Sequence, residues 1–300
     1  MDYNIRYDYR YETLAAVRRY GSYTLAGGAL SLTPSAVSQQ IHSIENELNV
    51  KLFVKNGSKI IPTKECDIIA DYIARIDELC RKMTDDLELS KKNLHHFTVG
   101  ITPSLENGTL SNILLNYSDT EPDVQIKVVT SSSAALYDML KNYTVDIAVV
   151  EGSFPENEFN SVILDTDYLV AVVSNDNPLA KKEMVSAEEL KKEKLILRSA
   201  DSGTRVLFEA NLKKSGLSIK DFNVMMEVES VAAIKKFVES NYGVSVLSNK
   251  ACKAEAEKGK FRVLPICNMQ MTRKINIYYR KDSDYEELLQ KIQSLYSQIS

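Results

Sequence analysis

The stretch from Thr33 to Leu48, TPSAVSQQIHSIENEL, constrains this chain more than any other. Thr33 can accept hydrogen bonds from the free N–H groups of a first helical turn. Pro34 falls at the first helical position, where its missing donor costs nothing. Val37, Ile41, Ile44 and Leu48 follow at spacings of four, three and four, which predicts one apolar stripe on a helix. At roughly 100° per residue, Ser35, Gln39, His42 and Asn46 fall on the opposite face. That face is hydrophilic and nearly uncharged at its amino-terminal end, so it can enter a major groove and offer hydrogen bonds to base edges. For an isolated helix, a plain solvated face explains the same pattern.

The neighbours argue for more. Tyr11, Leu14, Ala15 and Val17 mark a first helix ending near Gly21, Thr24 to Leu30 gives a short second one, and Ser31-Leu32 forms the turn into the third. This is the helix-turn-helix arrangement. Beyond Leu48, the apolar Val50, Leu52 and Phe53 precede Lys55-Asn56-Gly57-Ser58-Lys59, where Asn-Gly signals a hairpin whose lysines form a wing that touches phosphate. Residues 1–64 carry eight basic and five acidic side chains, a net +3, in a chain whose total is −4. A mildly basic head on an acidic body suits a nucleic-acid module joined to something that does not bind nucleic acid.

From Glu65 to about Leu89 the chain reads as one long helix. Ile69, Ile73, Ile76, Cys80, Met83 and Leu87 alternate spacings of four and three, the seam of a coiled coil. Packing against its own domain explains the same stripe. Beyond residue 93 the pattern changes to β-branched runs separated by helical segments: 97–101, 124–129, 145–150, 168–173, 195–197, 244–247 and 275–279. This alternation predicts an α/β body of parallel sheets covered by helices, with ligands collecting at the carboxyl ends of strands. Three loops fit that place: Thr102-Pro103-Ser104, Thr130-Ser131-Ser132-Ser133 and Ser202-Gly203-Thr204-Arg205. Each supplies hydroxyls and free backbone N–H groups suited to a carboxylate or other anion. Each also reads as an ordinary helix cap.

Composition limits the alternatives. A chain of 300 residues with 44% hydrophobic and 26% charged residues is an ordinary globular protein of two or three folding units. No apolar run approaches the roughly 20 residues that cross a bilayer. The amino terminus has no basic segment followed by an apolar core, so a cytoplasmic location is expected. Cys66, Cys80, Cys252 and Cys267 are scattered and read as packing residues, and His42, His95 and His96 have no metal-ligand spacing. There is no G-x-S-x-G, no P-loop and no G-x-G-x-x-G, so neither catalytic residues nor a cofactor nor a metal is expected.

The runs Gly21-Ser-Tyr-Thr-Leu-Ala26, Leu30-Ser-Leu-Thr-Pro-Ser-Ala-Val-Ser-Gln-Gln-Ile41 and Leu48-Asn-Val-Lys-Leu-Phe53 resemble the LysR-type transcriptional regulators in order, spacing and residue type across about sixty positions. The resemblance implies a winged helix-turn-helix over 1–64, a linker and dimerisation helix over 65–92, and an effector-binding domain over 93–300. That domain is similar to periplasmic solute-binding proteins, with lobe I at about 93–165 and 268–300 and lobe II at about 166–267. The implied partners are double-stranded DNA, a small anionic effector and a second copy of the chain, tetramers also being common in the family. Ser35, Ser38 and Gln39 are expected to approach bases or phosphates, with Thr24, Thr33, Pro34 and His42 on the same surface and Lys55 and Lys59 on the wing. Thr102, Ser104, Ser132, Ser202 and Thr204 are the effector-contacting candidates. Arg205 is either a carboxylate partner or a salt-bridge residue. The alternative, a solute receptor without DNA function, fits the body but not the head. Two pairs of positions depart from the family pattern. Gly27-Gly28 replaces an alanine and a polar residue, at roughly 1 kcal/mol each, which predicts a soft second helix. Glu65-Cys66 replaces alanine-glycine.

Overall fold

The computed structural model describes residues 8–56, 59–92, 94–106, 109–155, 157–283 and 285–299. The chain divides into two compact units, Met1–Lys92 and Asn93–Ser300. The first holds α1 (Arg10–Tyr20), α2 (Tyr23–Leu30), α3 (Pro34–Leu48), the antiparallel hairpin β1 (Phe53–Asn56) and β2 (Lys59–Pro62), and α4 (Lys64–Ser90). Ser22, Thr33 and Thr63 cap α2, α3 and α4, each side chain accepting an N–H from the first turn. Leu14, Val17, Ala26, Val37, Ile41, Ile44, Leu52 and Phe53 pack into one core. The predicted stripe of α3 ends a turn early, because Leu48 is exposed beside the left-handed cap at Asn49.

The α4 seam splits between its two readings. Cys66 and Ile73 bury in the core of the first unit, with Ile69 packed against it, so this half of α4 belongs to the head and is not a separate connector. Further along, Ile76, Leu79, Met83 and Leu87 are exposed. No described helix is long and apolar enough to cross a membrane.

The second unit starts with β3 (His95–Ile101), α5 (Thr109–Thr120), β4 (Val124–Thr130), α6 (Ser133–Lys141) and β5 (Ile147–Glu151). The long β6 (Asn160–Val173) leads to α7 (Ala187–Leu190), β7 (Lys194–Leu197), α8 (Gly203–Lys214), β8 (Asn223–Glu227), α9 (Val231–Glu239), β9 (Ser245–Ser248), α10 (Asn249–Glu257) and β10 (Arg262–Leu264). β11 (Thr272–Tyr279) and α11 (Glu286–Ile299) complete it. β3 pairs in parallel with β4 and β5, and β7 with β8. The expectation of wholly parallel sheets is corrected at β6, β9, β10 and β11, which pair antiparallel. The reason is topological. β6 carries the chain out of one lobe and β11 brings it back, and an outgoing and a returning strand lying side by side must run in opposite directions. The first part of β6 pairs with β11, from Asn160↔Tyr279 to Tyr168↔Thr272, and the rest pairs with β9 and β10. Two lobes therefore share two crossing strands. One core contains Phe97, Ile101, Ile113, Ile147, Ile277 and Ile292, so α11 packs back on the first lobe. The other contains Leu169, Val173, Leu195, Phe208, Leu212 and Val246.

The two glycines of α2 differ. A Cβ on Gly27 would lie 2.6 Å from the Leu32 carbonyl oxygen, whereas one on Gly28 meets nothing within 4 Å. The Leu32 N–H also bonds the Gly27 carbonyl at 2.8 Å, so the turn folds tightly over a position that only glycine fits. The expectation that both glycines merely soften the helix is corrected at Gly27. Gly28→Ala should therefore stabilise the protein by about 1 kcal/mol, the ordinary helical gain, whereas Gly27→Ala should destabilise it. Denaturant melts of the two variants check the opposite signs.

Candidate DNA-facing helix and ligand cleft

On α3, Thr33, Pro34, Ser35, Gln39 and His42 are exposed and Ser38 is half-buried. Thr24 on α2 and Lys55 on β1 are exposed too. Gly57, Ser58 and the side chain of Lys59 lie outside the described residues. Thr33 is occupied as a cap, its Oγ1 accepting from the Ala36 N–H at 3.2 Å and lying 3.0 Å from Ser35 Oγ. His42 is less free than the sequence suggested, because its Nδ1 lies 2.9 Å from the Glu45 carboxylate.

Glu45 is the one buried acid among the described residues of this unit. Its Oε1 accepts from the Leu52 N–H and its Oε2 from Lys51 Nζ, both at 2.9 Å, which ties α3 to the start of the hairpin. Burial opposes its ionisation, but the bonds from Lys51, Leu52 and His42 prevail and hold its pKa at about 2. The face of α3 is thus fixed relative to the wing strands by an ionised side chain inside the fold.

In the second unit a cleft of about 390 Å³ opens where the carboxyl ends of the strands meet the starts of three helices. Thr102 and Ser104 follow β3, Ser132 caps α6, Ser202 caps α8 and Ser230 caps α9, and all five line it. The three capping oxygens accept from Ala135, Arg205 and Ala233 N–H groups at 3.2–3.3 Å, which leaves each hydroxyl proton available to a ligand. The first-turn N–H groups of these helices have no intrahelical acceptor, and the dipoles favour negative charge there.

Two arginines reach this cleft, and they differ. Arg273 on β11 donates from Nη2 to Glu151 Oε1 at 2.9 Å and to Asp167 Oδ2 at 3.1 Å, and from Nη1 to Thr204 Oγ1 at 3.3 Å. Thr102 donates to the other oxygen of Glu151. Arg198, one residue past β7, is only 5% exposed, yet its Nε has no hydrogen-bond partner and no described residue forms an ion pair with it. Burial lowers its pKa from the ordinary guanidinium value, with Arg273 adding to the effect, while Glu151, Glu229 and Asp201 act the other way.

The fold thus brings Thr102, Ser104, Ser132, Ser202 and Thr204 to one cavity. Arg205 is not among the residues that line it. Its Nε pairs with Glu209 one turn along α8. Arg205 is therefore a salt-bridge residue in this structure. The sequence reading missed Arg198, Glu151, Glu229, Ser230 and Arg273. Arg198 had a signal, since it directly follows the predicted strand 195–197, at the end where ligands collect. Ser230 follows β8, whose Met225 and Met226 did not read as strand.

A capped helix with an exposed polar face beside a hairpin, followed by a two-lobed cleft domain, fits a DNA-binding protein joined to a small-ligand receptor. Residues 10–67 match the family model for the bacterial regulatory helix-turn-helix protein, lysR family, and residues 91–294 match the LysR substrate binding domain. The chain belongs to the LysR family and is a DNA-binding transcription regulator of that type. It is 29% identical over 269 residues to a probable RuBisCO transcriptional regulator of Cyanophora paradoxa, covering 88% of this chain and 83% of that one. The fold is similar to full-length CbnR complexed with its target DNA, with a TM-score of 0.65 and 14% identity over 97% of this chain and 99% of that one. It is also similar to the CcmR regulatory domain of Synechocystis in complex with 2-PG, with a TM-score of 0.61 and 18% identity over 67% of this chain and 97% of that one.

Because the folded pKa of Glu45 lies below the ordinary carboxylate value of 4.5, its stabilisation is complete above about 4.5 and fades as the pH falls toward 2. Glu45→Ala should cost about 1–3 kcal/mol at neutral pH, since the buried Leu52 N–H loses its acceptor. It should also flatten the loss of stability between those two pH values. Denaturant melts at several pH values test both effects.

Proposed function

We propose that this regulator binds a small anionic metabolite in the cleft of its second unit, with Arg198 as the anchor, and that the ligand alters its binding to DNA. The observation that carries this reading is the buried, unpartnered Arg198 Nε at a cavity where three helix starts converge. An unpaired buried cation is costly, and an anion is the partner that would offset it. The similarity to a regulatory domain in complex with 2-PG supports a small ligand. The cleft lies between lobes joined by the crossing strands β6 and β11, so a ligand contacting both would favour one arrangement of the lobes over others.

On the DNA side, Ser35, Ser38 and Gln39 are the base-facing residues, Thr24, Thr33, Pro34 and His42 flank them, and Lys55 and Lys59 serve the phosphates. The exposure of this α3 face and the similarity to CbnR in complex with its target DNA support that reading. The exposed apolar residues Ile76, Leu79, Met83 and Leu87 suit pairing with α4 of a second copy, a homodimer from which tetramers can be built. The protein acts by binding and not by catalysis, in the cytoplasm, where its DNA lies.

Two experiments test the reading. A stabilising carboxylate or phosphate at a hundred times its dissociation constant should add about 2.7 kcal/mol to the stability of the full chain. Arg198→Met should remove that gain, and retention of the gain would refute the anchor. In DNA binding, Gln39→Ala should weaken affinity for a duplex selected from a random library more than for unselected duplex. Lys55→Ala should weaken both and lower the salt slope by about one. Equal losses for both variants on both duplexes would overturn the base-facing assignment.

A further inference from the structure

The cleft carries two kinds of charge, in two places. Its floor holds the buried Arg198, whose Nε is unpartnered. Its rim holds Glu106, Asp201 and Glu229, all exposed, and none of their carboxylates forms an ion pair with a described residue. The remaining two charges answer each other, since Arg273 is bound to Glu151 and to Asp167 behind it. What the cleft offers a ligand is therefore one buried cation below and several unmatched carboxylates above.

We propose that the ligand is an α-amino acid, its carboxylate on Arg198 and the first turns of α6 and α8, its ammonium on the rim carboxylates of Glu229 and Asp201. This rests on the reading of the cleft as an anion site and narrows it. A dianion such as a phosphate monoester would satisfy Arg198 but bring a second negative charge up to the rim. A simple ammonium would satisfy the rim and leave the buried cation without a partner. A zwitterion answers both, and the hydroxyls of Ser132 and Ser202 are free to donate to its carboxylate. Glu229, Asp201 and Arg198 line one cavity without pairing with one another, so a single small zwitterion can meet both kinds of charge. About 390 Å³ fits one such molecule, and among the described lining residues only Pro103 and Val231 are apolar, which suits a short or polar side chain.

Melting of the full chain against each of the twenty L-amino acids tests the proposal. Every stabilising amino acid is compared with its 2-oxo acid, which lacks the ammonium, and its decarboxylated amine, which lacks the carboxylate. At least one amino acid should raise the melting temperature, and both of its analogues should bind more than about tenfold more weakly. Glu229→Gln, on the exposed rim, should weaken the amino acid by a similar factor while sparing or improving the 2-oxo acid, a reversal that mere loss of stability would not produce. A 2-oxo acid that binds as well as its amino acid overturns the ammonium assignment and leaves the anion reading standing. Silence from all twenty amino acids overturns the proposal. If inorganic phosphate and simple carboxylates are then silent as well, the anion reading falls with it.

Discussion

Arg273 and Asp167 face each other in register on β11 and β6, the two strands that both lobes share. The guanidinium also holds Glu151, at the end of β5 in the first lobe, and Thr204, in the first turn of α8 in the second. One buried cation therefore joins the crossing point to both walls of the cleft. Buried charges are tolerated when every partner is present, and here two carboxylates, a hydroxyl and the Lys250 N–H on Asp167 complete the set. The arrangement also decides the state of its neighbour. With Glu151 held by Arg273 and Thr102, Arg198 is left without a pair.

That asymmetry links structure to regulation. Taking a charge out of water without compensation costs several kcal/mol, and a protein keeps such a group when something else supplies the missing partner. A ligand that supplies it gains affinity in proportion to the cost relieved, and because the cleft is walled by both lobes, it does so best in one lobe arrangement. In the first unit, the ionised Glu45 plays the opposite part. It is fully partnered by Lys51, Leu52 and His42, and it holds the face of α3 and the wing in a fixed relation. One buried charge serves rigidity; to the other, the proposed function assigns response.

Much of this was legible in the residues. Caps and periodicity located α3 almost to the residue, because Thr33 and Pro34 start a helix by local chemistry alone and Asn49 stops it in a left-handed conformation. The serine and threonine loops after strands were visible for the same reason. Long-range facts were not. The family resemblance implied the chain's return to the first lobe, but the antiparallel pairing of β6 with β11 joins residues more than a hundred apart and is encoded in no local pattern. The partners of Arg273, Asp167 and Glu151 come from three separate strands, so nothing in the spacing joins them. Gly27 looked like a weak helix residue until the approach of the Leu32 carbonyl was seen. Arg205 stood out beside the serine-rich loop and Arg198 did not, yet Arg205 pairs with Glu209 while the Nε of Arg198 is left without a partner at the cleft.

The most direct test of the account is a crystal structure of the full chain grown with a small carboxylate that stabilises it. A ligand oxygen is expected within hydrogen-bond distance of the Arg198 guanidinium, against the helix starts capped by Ser132 and Ser202. A ligand bound elsewhere, with Arg198 still unpartnered or turned onto Glu229 or Asp201, would contradict it.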